Sequence, residues 1–347
     1  MSPICPLQAH SRLGESMDKA VVIGSNSFSG SHLIDFLLQN TKAEVIGIGR
    51  SPEYKSIFLP YAYKKKTERF HFFQMDINKD LDKIMKLFDR EKPEVVVNFA
   101  AQGEVGHSWK WPGDWFQTNC LGIVKLTNKL KDCNYIKRYI HISTPEVYGS
   151  TNGFMKESNT YYNPSTPYAA SKAAGDMFLF VLVKNFDFPL IMTRSSNVYG
   201  IHQQLYRIIP RTIIYLKMGK KIELHGGGTA VKSFIHIRDV ADGIYRAIQS
   251  GKVGSIYHFA PDGGISISEL VRKICEIMGY DFKSSVGSVK ERIGQDTRYE
   301  LDSSKAKTEL GWEPKIKFEK GVKEVIKWIE ENWDEILKEP LEYIHKK

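Results

Sequence analysis

In the stretch YAASKAAGDMFLF, Tyr168 and Lys172 stand four residues apart. On a helix that spacing puts both side chains on one face. An ammonium beside a phenol stabilises phenolate and is expected to lower the tyrosine pKa toward neutrality. Such a tyrosine can take a proton from a sugar hydroxyl while hydride leaves the same carbon. A second stretch, IHISTPEVYGS, runs out of a strand-like segment into Ser143, Thr144, Pro145 and Glu146. Two hydroxyls and a carboxylate at a strand end suit proton transfer. The proline between them is the anomaly, since it offers neither a backbone N–H nor a side-chain proton. For Glu146 a purely structural alternative stays open, as a helix cap or a lysine's partner.

A parallel sheet is what would hold these groups. Short apolar runs alternate with helical patterns in the first half of the chain, the signature of βαβ units. Strands are expected at Ala20–Ile23, Glu44–Ile48, Phe70–Gln74, Val95–Phe99, Tyr139–Ile142 and Leu190–Thr193, with helices such as His32–Gln39 and Leu81–Phe88 between them. After Tyr199 the pattern changes. Gly226 to Gly228 marks a turn, Ile256–Phe259 another strand, and Val240–Ile248, Ser268–Met278 and Phe318–Trp328 read as helices. The expected fold class is therefore α/β, a doubly wound parallel sheet with a smaller, partly interleaved C-terminal lobe for substrate. Residues 17–195 and about 235–260 are assigned to the first part, 196–234 and 261–347 to the second. Residues 1–16 read as a flexible extension, with Met17 a natural start just before the first strand.

The segment VVIGSNSFSGSHLIDFLL is strand, tight loop, helix, with Gly24 and Gly30 framing the loop and Ser27 where a middle glycine would stand. Such a loop lets backbone N–H groups and a helix N-terminus meet a pyrophosphate. A tight turn without a ligand explains the glycines equally. At the end of the second strand a carboxylate usually grips the ribose 2′-hydroxyl; here Gly49, Arg50 and Ser51 stand instead. An arginine and a serine welcome a 2′-phosphate, so the cofactor is NAD or NADP with a slight lean to NADP, unless Arg50 only faces solvent. Asp76, after the third strand, suits an adenine amino group or a helix cap.

The formal net charge of +9 over 347 residues is moderate. It fits a lysine-coated surface or an attraction for a phosphorylated ligand. Lys64-Lys65-Lys66 is too short a basic run for nucleic acid, and no apolar run spans a membrane. Cys5, Cys120, Cys133 and Cys275 lack metal or redox spacing, so no metal site and a reducing, cytoplasmic setting are expected.

Taken in order, the Gly24–Gly30 loop, NFAAQ (Asn98 to Gln102), STPEVYG, the Tyr168–Lys172 pair, RSSNVYG and FIHIRDVADGI resemble the extended short-chain dehydrogenase/reductases that act on nucleotide sugars. The resemblance covers nearly all of the chain after Met17. Within that group ERIGQDTRYELDSSKAKTELGW and YGIHQQLYRIIPRTI look most like the dTDP-glucose 4,6-dehydratases. A Rossmann-type sheet is implied. Gly24, Ser27, Phe28, Ser29, Gly30, Arg50, Ser51, Asp76, Ile77, Phe99, Ala100, Ala101, Tyr168 and Lys172 would hold the dinucleotide. Ser143, Thr144, Asn197, Arg207 and Arg292 would hold a nucleotide-diphosphate sugar, Arg292 as a buried clamp. Arg298 would help, or pair with Asp296 or Glu300. Catalysis would fall to Thr144, Glu146, Tyr168 and Lys172. Oxidation at C4 would acidify the C5 proton, Glu146 would remove it as the C6 hydroxyl leaves, and hydride would return to C6.

In the dTDP-glucose enzymes the strand end carries Thr-Asp-Glu, and the middle acid protonates the leaving hydroxyl. Pro145 cannot. Three readings follow: Glu146 makes both proton transfers, the reaction is a decarboxylation or variant elimination, or it is a C4 epimerisation, against which Glu146 argues. A non-catalytic dinucleotide-binding protein is a more distant alternative, because such proteins usually lose the tyrosine or the lysine. The helix through Met177 to Val183 is apolar on every side, so one face needs cover; the resemblance implies a homodimer built on it.

Overall fold

The computed structural model describes residues 17–346, apart from Lys66, Asn152, Thr160 and Gln295. The extension expected over residues 1–16 lies outside the described residues, as does the end of the Lys64–Lys66 run.

Seven parallel strands form the main sheet. They are β1 (Lys19–Ile23), β2 (Glu44–Gly49), β3 (Phe70–Gln74), β4 (Val95–Asn98), β5 (Arg138–Ile142), then Leu190–Ser195 and Ile256–Phe259. Across the sheet the order is β3, β2, β1, β4, β5, Leu190–Ser195, Ile256–Phe259. The sheet is doubly wound. Because side chains alternate along a strand, neighbours such as Val21 and Val22 feed two different cores. Val22, Val45, Val97 and Ile140 pack with Ile34 and Leu37 of α1 (Phe28–Asn40) and with Val240 and Ile244 of helix Ile237–Ser250. Val21, Ile46, Val96 and Tyr139 pack on the opposite face with Leu87, Leu126, Leu179 and Leu182. A third core gathers Ile209, Ile213, Leu270, Ile274, Val322 and Trp328 from the helices of the chain's second half.

The expected strands are present to within a residue or two, and Ile256–Phe259 does return to the large sheet. Several elements gave no pattern in the sequence. A four-stranded sheet is assembled from Phe154–Met155, Val231–Lys232, Ile265–Ser266 and Arg298–Leu301. The helical run from Pro112 to Leu130 contains a π-helical stretch, Gln117–Gly122, where the widened turn presses against helix Pro167–Phe186. A Cβ on Gly175 of that helix would lie 2.4 Å from the Asn119 carbonyl oxygen, so only glycine permits the approach. No helix among the described residues is long and apolar enough to cross a membrane.

Candidate active site

A cleft of about 1110 Å³ runs along the C-terminal ends of β1, β2, β4 and β5 and on beneath the second half of the chain. This is where open α/β sheets bind ligands, since loops diverge there and helix N-termini point inward. Gly24 closes the first strand with φ of +82°; a Cβ there would lie 2.7 Å from the Ala100 amide nitrogen. The Ser27 hydroxyl accepts from the Gly30 N–H at 3.0 Å and caps α1. Thus the serine in the middle-glycine position serves as the helix cap. The Asn26 amide donates to the carbonyls of Ser51 and Pro52, both at 2.9 Å, tying the first loop to the end of β2.

Of the residues expected along a dinucleotide, Gly24, Ser27, Phe28, Ser29, Arg50, Ser51, Asp76, Ile77, Phe99, Ala100, Ala101, Tyr168 and Lys172 line the cleft. Gly30 is not among its lining residues; it packs beneath the loop, where a Cβ would sit 2.5 Å from the Gly24 carbonyl oxygen. Asp76 caps no helix; its side chain closes a turn. Its Oδ1 accepts from the Asn78 N–H at 2.8 Å, and the residue still borders the cleft. A groove that no side chain of residue 24 could share with the β4 loop, ending on a capped helix N-terminus, fits a bound dinucleotide.

Tyr168 and Lys172 lie in the first two turns of helix Pro167–Phe186, which Thr166 caps by accepting from the Ala169 N–H. The ammonium of Lys172 donates to the Ile142 carbonyl at 2.7 Å and sits 3.3 Å from His141 Nε2. Burial brings its pKa down to about 8, against the pull of Asp176. The expected lowering of the Tyr168 pKa is not found. Burial pushes the phenol well above its ordinary value and the Glu146 charge pushes the same way, while Thr144 and Arg207 pull it down only in part. The i, i+4 spacing shares a helix face, but the carbonyl at the end of β5 holds the ammonium.

Behind Lys172 lies a buried polar network. Asp176 and Arg194, both fully buried, meet at 2.8 Å. The Ser143 hydroxyl also donates to Asp176, while the residue borders the cleft. Arg194 donates further to the hydroxyls of Tyr148 and Tyr162. Burial opposes the Asp176 charge, yet the His141 hydrogen bond and the neighbouring cations hold its pKa at about 2.

Thr144 caps the short turn Pro145–Tyr148, its hydroxyl accepting from the Glu146 N–H at 3.3 Å. Pro145 occupies the first position of that turn, where its missing N–H costs nothing. The turn aims Glu146 into the cleft. Burial raises its pKa to about 7; Lys232 and Arg207 lower it and Asp296 and Glu104 raise it. Such a carboxyl can take up and release a proton near neutrality.

On the substrate side, Asn197 donates to the Ser233 carbonyl at 3.2 Å and to the Tyr299 hydroxyl at 3.1 Å. Arg207 lies 3.5 Å from Glu104. Both line the cleft, as does Arg292. Arg292 is solvent-exposed at the rim, so the buried clamp expected of it is not formed. Arg298 is not a lining residue; it is paired with Glu300 at 2.7 Å.

Sequence reasoning missed several participants. Asn119, on the π-helical stretch, exchanges hydrogen bonds with both the N–H and the carbonyl of Gln102 and donates to Ser171, so it pins the β4 loop to the Tyr168 helix. A π-turn near a functional site is a recurrent device. Lys232 and Tyr299 reach the cleft from the small sheet, and Asp296 from just before its strand Arg298–Leu301. The C-terminal tail also borders it: the Gln102 amide donates to the Lys346 carbonyl at 2.8 Å, and His345 stacks 4.3 Å from Trp111.

A family profile described as GDP-mannose 4,6 dehydratase matches residues 21–325. The chain belongs to this family. It is thus an extended short-chain dehydrogenase/reductase of the epimerase/dehydratase group. It is 31% identical over 334 residues to the dTDP-glucose 4,6-dehydratase of Haemophilus influenzae, covering 90% of this chain and 98% of that one. Among solved structures, the dTDP-glucose 4,6-dehydratase of Streptomyces venezuelae with NAD bound superposes with a TM-score of 0.85 at 30% identity, over 91% of this chain and 98% of that one. The UDP-glucuronic acid 4-epimerase of Bacillus cereus, with UDP-glucuronic acid and NAD, gives 0.81 at 27% identity, over 90% and 99%.

Asp176→Asn removes the counter-charge of a buried arginine. The variant should be less stable by about 3–5 kcal/mol, measured by denaturant unfolding. Unchanged stability would show that Arg194 finds another partner.

Proposed function

We propose that this protein dehydrates a nucleotide-diphosphate hexose across C5 and C6, with Tyr168 acting at the C4 hydroxyl and Glu146 at C5. The observation that carries the reading is the Glu146 carboxyl, aimed into the cleft by the Pro145 turn and brought to a pKa of about 7. A simple C4 epimerisation needs no base at C5. Residues 17–195 and 235–260 serve the dinucleotide, and 196–234 with 261–347 serve the sugar nucleotide.

NAD or NADP, when bound, would supply the acceptor for the C4 hydride and the hydride that C6 receives. Gly24, Ser27 and the start of α1 would hold its pyrophosphate, and Arg50 with Ser51 tilts the preference toward a 2′-phosphate. Tyr168, held as phenol by burial, needs a cation close by to give up its proton, and the lysine one turn on supports that charge. In its phenolate form it removes the C4 hydroxyl proton, and Thr144 orients the same oxygen. Once C4 is a ketone, the C5 proton is acidic and Glu146 takes it. Arg207 and Arg292 meet the diphosphate, whose oxygens match the fork of a guanidinium.

The experiment is to offer dTDP-, UDP-, GDP- and CDP-hexoses, together with the corresponding hexuronic acids, and read the products by mass spectrometry. Loss of water supports dehydration; loss of carbon dioxide, or no change of mass, overturns it in favour of decarboxylation or epimerisation. Tyr168→Phe should lower turnover by about a hundredfold or more, the usual scale for a lost proton-transfer group. It should retain its dinucleotide, identifiable by chromatography after denaturation. Near-normal turnover would remove Tyr168 from its role, and recovery of only the unphosphorylated form would remove the lean to NADP.

The protein acts as a homodimer in this reading. Met177 and Val181 stand 56% and 51% exposed on helix Pro167–Phe186, beside exposed Phe116 and Leu121 on the helical run packed against it. Such a patch is apolar surface without cover. Light scattering should give twice the chain mass, and Met177→Glu with Val181→Glu should halve it. A monomeric unsubstituted protein would contradict the assignment.

A further inference from the structure

Hydroxide is a poor leaving group, so its departure from C6 needs a proton donor. Pro145 holds no proton. Glu146 must be ionised to take the C5 proton, so it has none to give at that moment. The charged groups that act on Glu146 are Lys232, Asp296, Arg207 and Glu104. Arg207 does not release a proton, because a guanidinium stays charged. Glu104 lies 3.5 Å from Arg207 as its counter-charge. Asp296 Oδ1 is taken up as an acceptor, from Ser150 at 3.2 Å and Ser165 at 2.6 Å. The Tyr299 hydroxyl accepts from Asn197, and burial pushes it well above its ordinary value, so it parts with its proton poorly.

Lys232 is different. It lies in the two-residue strand Val231–Lys232, directly opposite Tyr299 in a parallel pairing and clamped on its other side by Ile265–Ser266. Its ammonium donates to the Asp296 carbonyl at 2.8 Å and stands 3.9 Å from the centre of the Tyr299 ring. An ammonium has three N–H donors. The carbonyl takes one and the ring face one, which leaves one for the cleft that Lys232 and Glu146 both line. Burial makes this ammonium a readier proton donor than an exposed lysine, although Glu146 and Asp296 act the other way.

We propose that Lys232 is the general acid of the elimination, protonating the departing C6 oxygen while Glu146 takes the C5 proton. The inference rests on the 4,6-dehydration reading. The C5–H bond breaks toward Glu146, a C5–C6 double bond forms, and the C6–O bond breaks with the oxygen leaving as water. Hydride taken from C4 then returns to C6, and Glu146 gives its proton back to C5. Tyr168 sheds to solvent the proton it took from the C4 hydroxyl, and Lys232 regains one from solvent, so the proton count closes. The small sheet thus supplies what the strand end lacks.

The test compares the sugar nucleotide that the unsubstituted protein dehydrates with its 6-deoxy-6-fluoro analogue, since fluoride departs with far less help from an acid. Lys232→Met should lower water elimination by about a hundredfold or more, leave KM little changed, and largely spare fluoride release. Lys232→Arg keeps the charge and the ring contact but cannot donate a proton; it should show the same split, and its thermal unfolding checks that the small sheet is intact. Equal losses on both substrates with a raised KM would reduce Lys232 to a diphosphate-binding cation and overturn the proposal. So would full water elimination by either variant. If the unsubstituted protein dehydrates no sugar nucleotide, the reaction assignment itself fails, and that result appears before any variant is made.

Discussion

Asp176 and Arg194 meet 2.8 Å apart with no solvent on either side chain, and the site is arranged around that contact. It joins the Tyr168 helix to the strand Leu190–Ser195. Ser143 at the end of β5 donates into it, as Arg194 does to the hydroxyls of Tyr148 and Tyr162. A buried ion pair adds little net stability over well-packed apolar residues, but it tolerates few geometries, and breaking it is costly. Its value here is positional. It fixes how the helix bearing Tyr168 and Lys172 sits against the strand end bearing Thr144 and Glu146, so the two candidate sets of proton-transfer groups on different elements line one cleft.

The same burial sets the protonation states. Tyr168 and Glu146 are both pushed toward their neutral forms by burial, and the Glu146 charge adds to the push on Tyr168. Lys232 and Arg207 oppose that push on Glu146, and Thr144 and Arg207 oppose it on Tyr168. A cleft lined with cations and with a Glu146 carboxyl poised near neutrality suits a doubly charged diphosphate better than the modest overall charge of +9 alone would suggest. The carboxyl group poised near neutrality can serve as base in one step and as acid in a later one.

Much of this was legible in the sequence, for identifiable reasons. Strands buried on both faces read as apolar runs, so β1, β2, β4 and β5 stood out, and with them the loop ends that carry Gly24, Ala100 and Glu146. The Tyr168–Lys172 spacing marked a helix face. The network partner of Lys172 was not legible, because a four-residue spacing does not say that the Ile142 carbonyl lies nearer than the phenol. Arg298 and Arg292 show the same limit, since one alternates away from the cleft to meet Glu300 and the other sits at its rim. Lys232 was hidden most deeply. It lies on a two-residue strand whose partners, Ile265–Ser266 and Arg298–Tyr299, come from distant parts of the chain, and so short a segment carries no period.

In the proposed reaction, oxidation at C4 and elimination at C5 and C6 fall to separate groups in one cleft. The most direct measurement is the near-ultraviolet absorbance of reduced nicotinamide after sugar nucleotide is added to Glu146→Gln. The amide keeps the shape of the side chain but cannot take the C5 proton. Reduced cofactor should build up with the sugar bound, and no dehydrated product should be released. Dehydration at the unsubstituted rate, with no build-up of reduced cofactor, would contradict this assignment of roles.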